Sequence, residues 1–388
     1  MSASPKHSHA LLPGATLGVM GGGQLGRMFV HAAQRMGYFT AVLEPDKTSP
    51  AALVSHYPIQ THYLDEQGLA QLMQRCDAIT TEFENVPAQA LHTLGAHRPV
   101  APSAQAVAVA QDRVQEKLHF GRCAVACAPY AVIESAADVA HVDTALFPAV
   151  LKTARSGYDG KGQLRLASAQ ALQAAWTELG QVPCVLEQQQ DLALELSVIL
   201  ARGRDGQMVH YAPQRNVHRS GILAVTEALA ANAPAPAYAQ QAVQAAQTIA
   251  QTLDYVGVLC VEFFVLADGR LLANEMAPRP HNSGHYTLDA CDVSQFELQV
   301  RTLCGLPLTA PRQHSAAVML NLLGDLWTHA APDWARILTL PGAHLHLYGK
   351  LQARPGRKMG HLTLTGPDAA SVLTQARLAA QWLGIAPW

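Results

Sequence analysis

Residues 257–279 read G-V-L-C-V-E-F-F-V-L-A-D-G-R-L-L-A-N-E-M-A-P-R. Gly257–Leu266 and Arg270–Met276 are apolar runs of strand length, and Ala267-Asp268-Gly269 between them has the residues of a tight turn. The stretch predicts a hairpin that holds Glu262 and Glu275 side by side, with Asn274 next to one of them. Carboxylates on strands this apolar are costly unless a cation neutralises them. Two carboxylates and an amide are hard oxygen donors, the set that suits magnesium carrying a nucleotide phosphate. A solvated hairpin edge with two unrelated acids is the alternative that the hairpin by itself leaves open.

Upstream of the hairpin the chain changes character twice. From Leu17 to about Val100, short apolar runs alternate with helical periodicity, which predicts a doubly wound βαβ unit. Its first strand leads into Gly21-Gly22-Gly23-Gln24-Leu25-Gly26, a G-x-G-x-x-G loop, and Glu44 ends the second strand. That combination suits a dinucleotide, but free N–H groups at a helix N-terminus accept any anion, and a purely structural turn is a third reading. After a helix at Asp112–Phe120, strands predominate. Lys152 ends an apolar strand and is followed by Ser156-Gly157-Tyr158-Asp159-Gly160-Lys161-Gly162. Glycines allow the backbone to approach phosphate and the two lysines supply charge, although G-K-[ST] is absent. Val185-Leu186-Glu187 ends another strand in an acid that could meet an adenine or a ribose. A Gly-rich hairpin tip and an ordinary strand-end acid are the plainer readings. Downstream, Gly305-Leu306-Pro307 marks a boundary before short strands and a last helix at Ala369–Leu383.

Bulk properties narrow the function classes. The chain has 388 residues, 49% of them hydrophobic and 14% charged, enough for two or three domains and against global disorder. A net charge of −2 gives no basic footprint for nucleic acid or a membrane surface, and no apolar run is long enough to span a bilayer. Seven scattered cysteines read as reduced thiols of a cytoplasmic protein, and the 18 histidines show no ligand-spaced motif. Residues 1–15 read as a tail.

Several stretches together resemble the ATP-grasp superfamily: the lysine before a glycine-rich loop, the acidic strand end, and one acid on each of two strands. More narrowly, G-G-G-Q-L-G-R-M, T-T-E-F-E-N-V-P, S-G-Y-D-G-K-G-Q, N-E-M-A-P-R-P-H-N-S-G-H and R-P-G-R-K-M-G-H resemble the bicarbonate-using ligases that make 5-(carboxyamino)imidazole ribonucleotide in purine biosynthesis. The resemblance spans Thr16 to the C-terminus. It implies an α/β and α+β multidomain chain: an N-terminal doubly wound βαβ domain (16–112), a central ATP-grasp domain (113–308) and a small C-terminal β-rich domain (309–388).

The resemblance further implies that ATP meets Arg113, Lys152, Gly157, Tyr158, Asp159, Gly160, Lys161, Gly162, Gln163, Glu187, Gln188, Gln189, Gln190, Glu195, His218, Asn274 and Glu275. Glu262 and Glu275 would hold Mg2+. Gln24, Leu25 and Glu82 would contact aminoimidazole ribonucleotide, and Lys350, Arg357 and Lys358 its phosphate. Tyr158, Asp159, Arg279 and Lys350 would line the place where bicarbonate becomes a transferable carboxylate. A cytoplasmic homodimer is the expected form, with no nucleic acid or membrane partner. Two departures stand out: Ser156 where relatives carry glycine, and the polar Gln188-Gln189-Gln190 run. A formate-using glycinamide ribonucleotide transformylase is the nearest rival, and the His281-Asn282-Ser283-Gly284-His285 run speaks against it. A nicotinamide-dependent oxidoreductase leaves the acidic hairpin unexplained. A non-catalytic nucleotide module leaves the transfer-site residues unexplained.

Overall fold

The computed structural model describes residues 10–157, 162–229, 237–328 and 330–388. The first strands, Thr16–Met20, Phe39–Leu43, Tyr57–Ile59 and Ala78–Thr81, form a parallel sheet. Thr16–Met20 lies between Phe39–Leu43 and Ala78–Thr81, so the strand order reverses there. Helices Gln24–Arg35 and Glu66–Arg75 belong to the crossovers, and covering both faces explains why T-L-G-V-M is almost wholly apolar. Leu17, Val19, Phe29 and Val30 are buried between sheet and helix. In such sheets the crevice beyond the carboxyl ends, at the reversal, is the natural ligand position.

A second, antiparallel sheet joins Tyr130–Ile133, Cys184–Gln188, Ala149–Thr153 and Gln163–Leu166 in that order. The third sheet is the largest. The hairpin strands Gly257–Leu266 and Leu271–Ala277 stand at one end, followed by Leu192–Arg202, Gln214–Arg219 and Ile222–Ala228. The same sheet continues through Ala316–Leu323 and Lys358–Gly366 to Ala343–Leu347. The C-terminal β-rich part therefore extends the central sheet strand by strand. Ala242, Ala246 and Ala250 let helix Ala237–Thr252 approach the sheet closely. Helix Gln295–Cys304 sends Phe296, Val300 and Leu303 into the core of the first domain, which locks the N-terminal and central parts together.

Of the segment read as a tail, residues 10–15 are tied down. Leu11 N donates to Cys304 O at 2.9 Å and Tyr38 Oη donates to Leu11 O at 2.7 Å. Backbone bonds to a distant helix end hold a stretch that has no periodicity of its own, and residues 1–9 lie outside the described residues. Three strands escaped the sequence reading: Tyr57–Ile59, and the pair Gln214–Arg219 and Ile222–Ala228, joined at Ser220-Gly221 with φ of 50° and 77°. All seven cysteines are unbridged. Among the described residues no helix is long and apolar enough to cross a membrane.

Candidate active site

A cavity of about 960 Å³ opens where the three sheets meet. Its walls come from the strand-order reversal (Gln24, Leu25, Glu82), the second sheet (Lys152, Glu187) and the acidic hairpin (Glu262, Glu275). Among the described residues its lining holds seven acidic side chains and five lysines and arginines.

The hairpin builds the acidic end. From Val265 opposite Leu271 to Phe263 opposite Ala273 the register is regular and would set Glu262 against Asn274. A β-bulge between Glu262 and Phe263 shifts the pairing by one, so that Glu262 faces Glu275 and Asn274 becomes the extra residue. Burial pushes the Glu262 carboxyl up to about 7, with His218 opposing and Glu275 and Glu195 reinforcing the shift. Glu275 Oε2 accepts from Arg113 Nη1 at 3.1 Å. Asn274 Oδ1 is buried and has no hydrogen-bond partner. Two carboxylates and an orphaned amide oxygen fit a hard divalent cation.

His218 and His281 flank the pair. His218 Nδ1 lies 2.8 Å from Glu195 Oε2, and although burial opposes its charge, Glu195, Glu262 and Glu275 raise its pKa. His281 Nδ1 accepts from Ser283 N at 3.3 Å, which leaves the proton on Nε2, 3.4 Å from Glu262 Oε1. Burial and the neighbouring Arg279 hold His281 neutral.

The opposite end is built on Glu187. Lys117 Nζ lies 3.1 Å from Glu187 Oε1 and Lys152 Nζ 2.9 Å from Oε2. Burial raises the carboxyl, but Lys152 and Lys117 prevail and hold it at about 2. In the glutamine run, Gln188 Nε2 donates to Ala145 O at 3.0 Å and Gln190 Nε2 to Gln188 O at 3.1 Å. The backbone is tied as well: Gln188 N donates to Pro129 O at 2.9 Å and Gln189 N to Pro148 O at 2.8 Å. Gly157 and Gln163 line the cavity, and Ser156 stands at φ 62°, a conformation that favours glycine. Gly162 at φ 71° follows the loop. Tyr158, Asp159, Gly160 and Lys161 lie outside the described residues.

Arg279 is held between the two halves. Its Nε and Nη2 donate to the Glu84 carboxylate at 2.5 and 3.0 Å, a two-pronged pair that joins the first domain to the segment after the hairpin. Arg279 holds Glu84 at about 2 despite burial, which would raise it. Lys358 lines the same cavity, whereas Lys350 and Arg357 do not. Lys350 Nζ donates to Lys358 O at 2.7 Å and Arg357 Nη1 to Gln352 O at 2.8 Å.

Residues 14–111 match the ribonucleotide synthetase preATP-grasp domain, 118–296 the ATP-grasp domain and 317–375 the phosphoribosylaminoimidazole carboxylase C-terminal domain. The N5-carboxyaminoimidazole ribonucleotide synthase of Brucella melitensis is 45% identical over 361 residues, covering 92% of this chain and 98% of that protein. This chain belongs to the N5-carboxyaminoimidazole ribonucleotide synthase family. Among solved structures of the family, the Staphylococcus aureus enzyme complexed with ADP is 35% identical, with a TM-score of 0.87 over 96% of this chain and 98% of that one. The Aspergillus clavatus enzyme in complex with ADP and 5-aminoimidazole ribonucleotide is 31% identical, with a TM-score of 0.86 over 95% and 98%.

Membership of the synthase family leaves the N-terminal glycine loop to be explained, and the structure does so without a dinucleotide. Gly22 N donates to Glu44 Oε2 at 2.8 Å, and Gly23 N and Gly26 N donate to the two oxygens of Glu82 at 2.8 and 3.1 Å. The anion position at this helix N-terminus is filled by the protein's own carboxylates, so neither a pyrophosphate nor a substrate phosphate has those donors available. A Cβ on Gly23 would sit 2.5 Å from Glu82 Oε1, and its absence lets the strand end approach. Gly23→Ala is expected to lower the thermal midpoint, at a cost of about 1–3 kcal/mol for the forced shift, and differential scanning calorimetry would measure it.

Glu84, Glu116, His281 and His285 line the cavity of this family member and had no role in the sequence reading, nor had Lys117, which pairs with the wall residue Glu187. Glu84 stood in the quoted T-T-E-F-E-N-V-P stretch, and the two histidines in N-E-M-A-P-R-P-H-N-S-G-H. Glu116 and Lys117 sit on helix Arg113–Arg122 and are 2% exposed, as apolar residues would be. Glu116 accepts from Met276 N at 2.6 Å, and burial pushes its carboxyl up to about 8. No motif pointed to them. The Ser220-Gly221 dipeptide was the available signal for the hairpin that carries His218.

Proposed function

We propose that this chain carboxylates the exocyclic amine of 5-aminoimidazole ribonucleotide, using ATP and bicarbonate and releasing ADP and phosphate. The observation that carries the reading is the juxtaposition of Glu262, Glu275 and the unpartnered Asn274 Oδ1 in one cavity with Lys152, Arg279 and the crevice at Gln24. Glu262, Glu275 and Asn274 would hold magnesium, which when bound screens phosphate charge.

Bicarbonate is a poor electrophile. Its oxygen attacks the γ-phosphorus of ATP, the bond from that phosphorus to the β–γ bridging oxygen breaks, and ADP leaves. Carboxyphosphate results. The amine nitrogen then attacks the carboxyl carbon, the carbon–oxygen bond to phosphorus breaks, phosphate leaves and the amine loses a proton. Asp159 would orient that amine or accept its proton. Lys152 and Arg279 supply positive charge that need not reorganise as negative charge moves. Their carboxylate partners, Glu187 and Glu84, fix both side chains before substrate arrives. Enclosure of the cavity by three sheets supports exclusion of water from a phosphate anhydride that hydrolyses readily. At the far end, Gln24, Leu25, Glu82 and Lys358 are the proposed contacts to the ribonucleotide, with Lys350 and Arg357 nearby. A cytoplasmic homodimer remains part of the proposal, and light scattering would test the assembly.

ADP release with MgATP and bicarbonate should depend on aminoimidazole ribonucleotide. Release that instead requires glycinamide ribonucleotide and formate would overturn the substrate. Lys358→Ala is expected to raise KM for the ribonucleotide at least about 10-fold, the loss of one charge-assisted phosphate contact, with KM for ATP nearly unchanged. Lys350→Ala, assayed in parallel, reports whether the neighbouring lysine shares that role.

A further inference from the structure

Behind the cavity wall lies a cluster that the reaction does not use. Asp289 on the short helix Thr287–Ala290, His346 on strand Ala343–Leu347 and His361 on strand Lys358–Gly366 each offer a donor atom, all within 4.8 Å of one another. No sequence motif announced it, because 57 residues separate Asp289 from His346 and the strand register brings His346 opposite His361. His346 Nε2 already lies 2.9 Å from Asp289 Oδ2. His361 is 0% exposed, and its Nε2 is buried without a hydrogen-bond partner. An imidazole nitrogen with no partner in a packed interior is costly, so it points to a missing ligand. The other nitrogen, Nδ1, lies 2.9 Å from Tyr348 Oη. That contact can receive the Nδ1 proton and leave Nε2 as a lone-pair donor, the outer-shell arrangement usual for a metal-binding histidine.

We propose that Asp289, His346 and His361 form a second cation site, separate from the acidic hairpin and selective for a borderline divalent transition ion, zinc first. Two imidazoles and one carboxylate suit zinc and disfavour magnesium, which prefers oxygen donors. Three protein ligands leave a fourth position for water. His344 Nδ1, 3.7 Å from Asp289 Oδ1, is the nearest further nitrogen donor. The rings of His346 and His361 now stack with centroids 4.5 Å apart at 11°, so ligation requires the half-exposed His346 ring to turn out of the stack. The bound ion would tie the helix that follows the cavity loop to both C-terminal strands. His285, in the cavity wall, packs against His361 with ring centroids 4.8 Å apart.

The test uses tag-free, chelator-treated full-length protein with millimolar magnesium present to occupy the hairpin acids. Zinc is titrated by calorimetry and cobalt by its visible d–d absorption. One tetrahedral-type cobalt site per chain is expected, displaced by zinc. His346→Ala and Asp289→Asn, both at positions with solvent access, should each weaken it more than about 10-fold. Their metal-free circular dichroism should match that of the wild type. Glu275→Gln should leave the site intact. Absence of the site in the wild type, or unchanged affinity in both variants, overturns the proposal. A site lost only in Glu275→Gln assigns the binding to the hairpin and overturns it equally.

Discussion

Glu275→Gln is expected to reduce ADP release at least about 100-fold, the range seen when one preorganised electrostatic group is removed from a site of charge transfer. The fold should survive, because the Glu275 side chain is 41% exposed and glutamine retains an oxygen for Arg113 Nη1. The neutral amide removes one of the two charges that offset a divalent cation, and Glu262 alone faces a buried position with His218 and His281 beside it. Magnesium dependence should therefore move to higher concentration. The stabilisation that MgADP gives the wild type in a thermal melt should shrink, while the melt without nucleotide stays nearly constant. NAD should stabilise neither protein, since the glycine-loop donors are taken by Glu44 and Glu82. Near-normal turnover in Glu275→Gln would remove the hairpin from the metal site.

The second large effect is on stability. Glu187→Gln leaves Lys117 and Lys152 as buried ammonium groups, 1% and 14% exposed, without their shared carboxylate. Breaking a buried ion pair from one side costs about 3–5 kcal/mol. Chemical denaturation should show that loss, and adding Lys117→Met should recover part of it by removing one uncompensated charge. The same pairing predicts acid sensitivity. Its folded-state pKa of about 2 lies below the ordinary 4.5, so its contribution is fully present above pH 4.5. It fades as pH falls from there through 2, because the unfolded chain takes up the proton first. The expected loss is roughly 3 kcal/mol. Glu187→Gln should flatten that part of the stability–pH curve, and an unchanged curve would show that the lysines do not hold Glu187 ionised.

Elements with their own periodicity were legible in the chain. The first hairpin strand, Gly257–Leu266, and the helix at Ala369–Leu383 have the bounds that their patterns predict. Gln214–Arg219 was not legible, because its inward positions are polar. Gln214 and Asn216 are buried and bonded: Asn216 Nδ2 donates to Ser197 Oγ at 2.9 Å, and Thr226 Oγ1 to Asn216 Oδ1 at 3.0 Å. A strand that faces a polar core carries no hydrophobic alternation to find. The C-terminal boundary had a similar limit. Pro307 and Pro311 mark a break in the chain, yet Ala316–Leu323 pairs directly with Ile222–Ala228, and the sheet crosses the break.

The sequence by itself determined the acidic hairpin, the lysine before the glycine loop and the family, because these depend on contiguous residues and short-range geometry. Tertiary structure decided everything that rests on one segment meeting another. A single bulge sets Glu262 against Glu275 instead of Asn274. Distant carboxylates close the N-terminal glycine loop to phosphate. Glu187 gains Lys117, Arg279 gains Glu84 and Asp289 gains His346 across separations of 57 residues or more. Charges and lone pairs act through distance in space, and only the packed fold sets that distance.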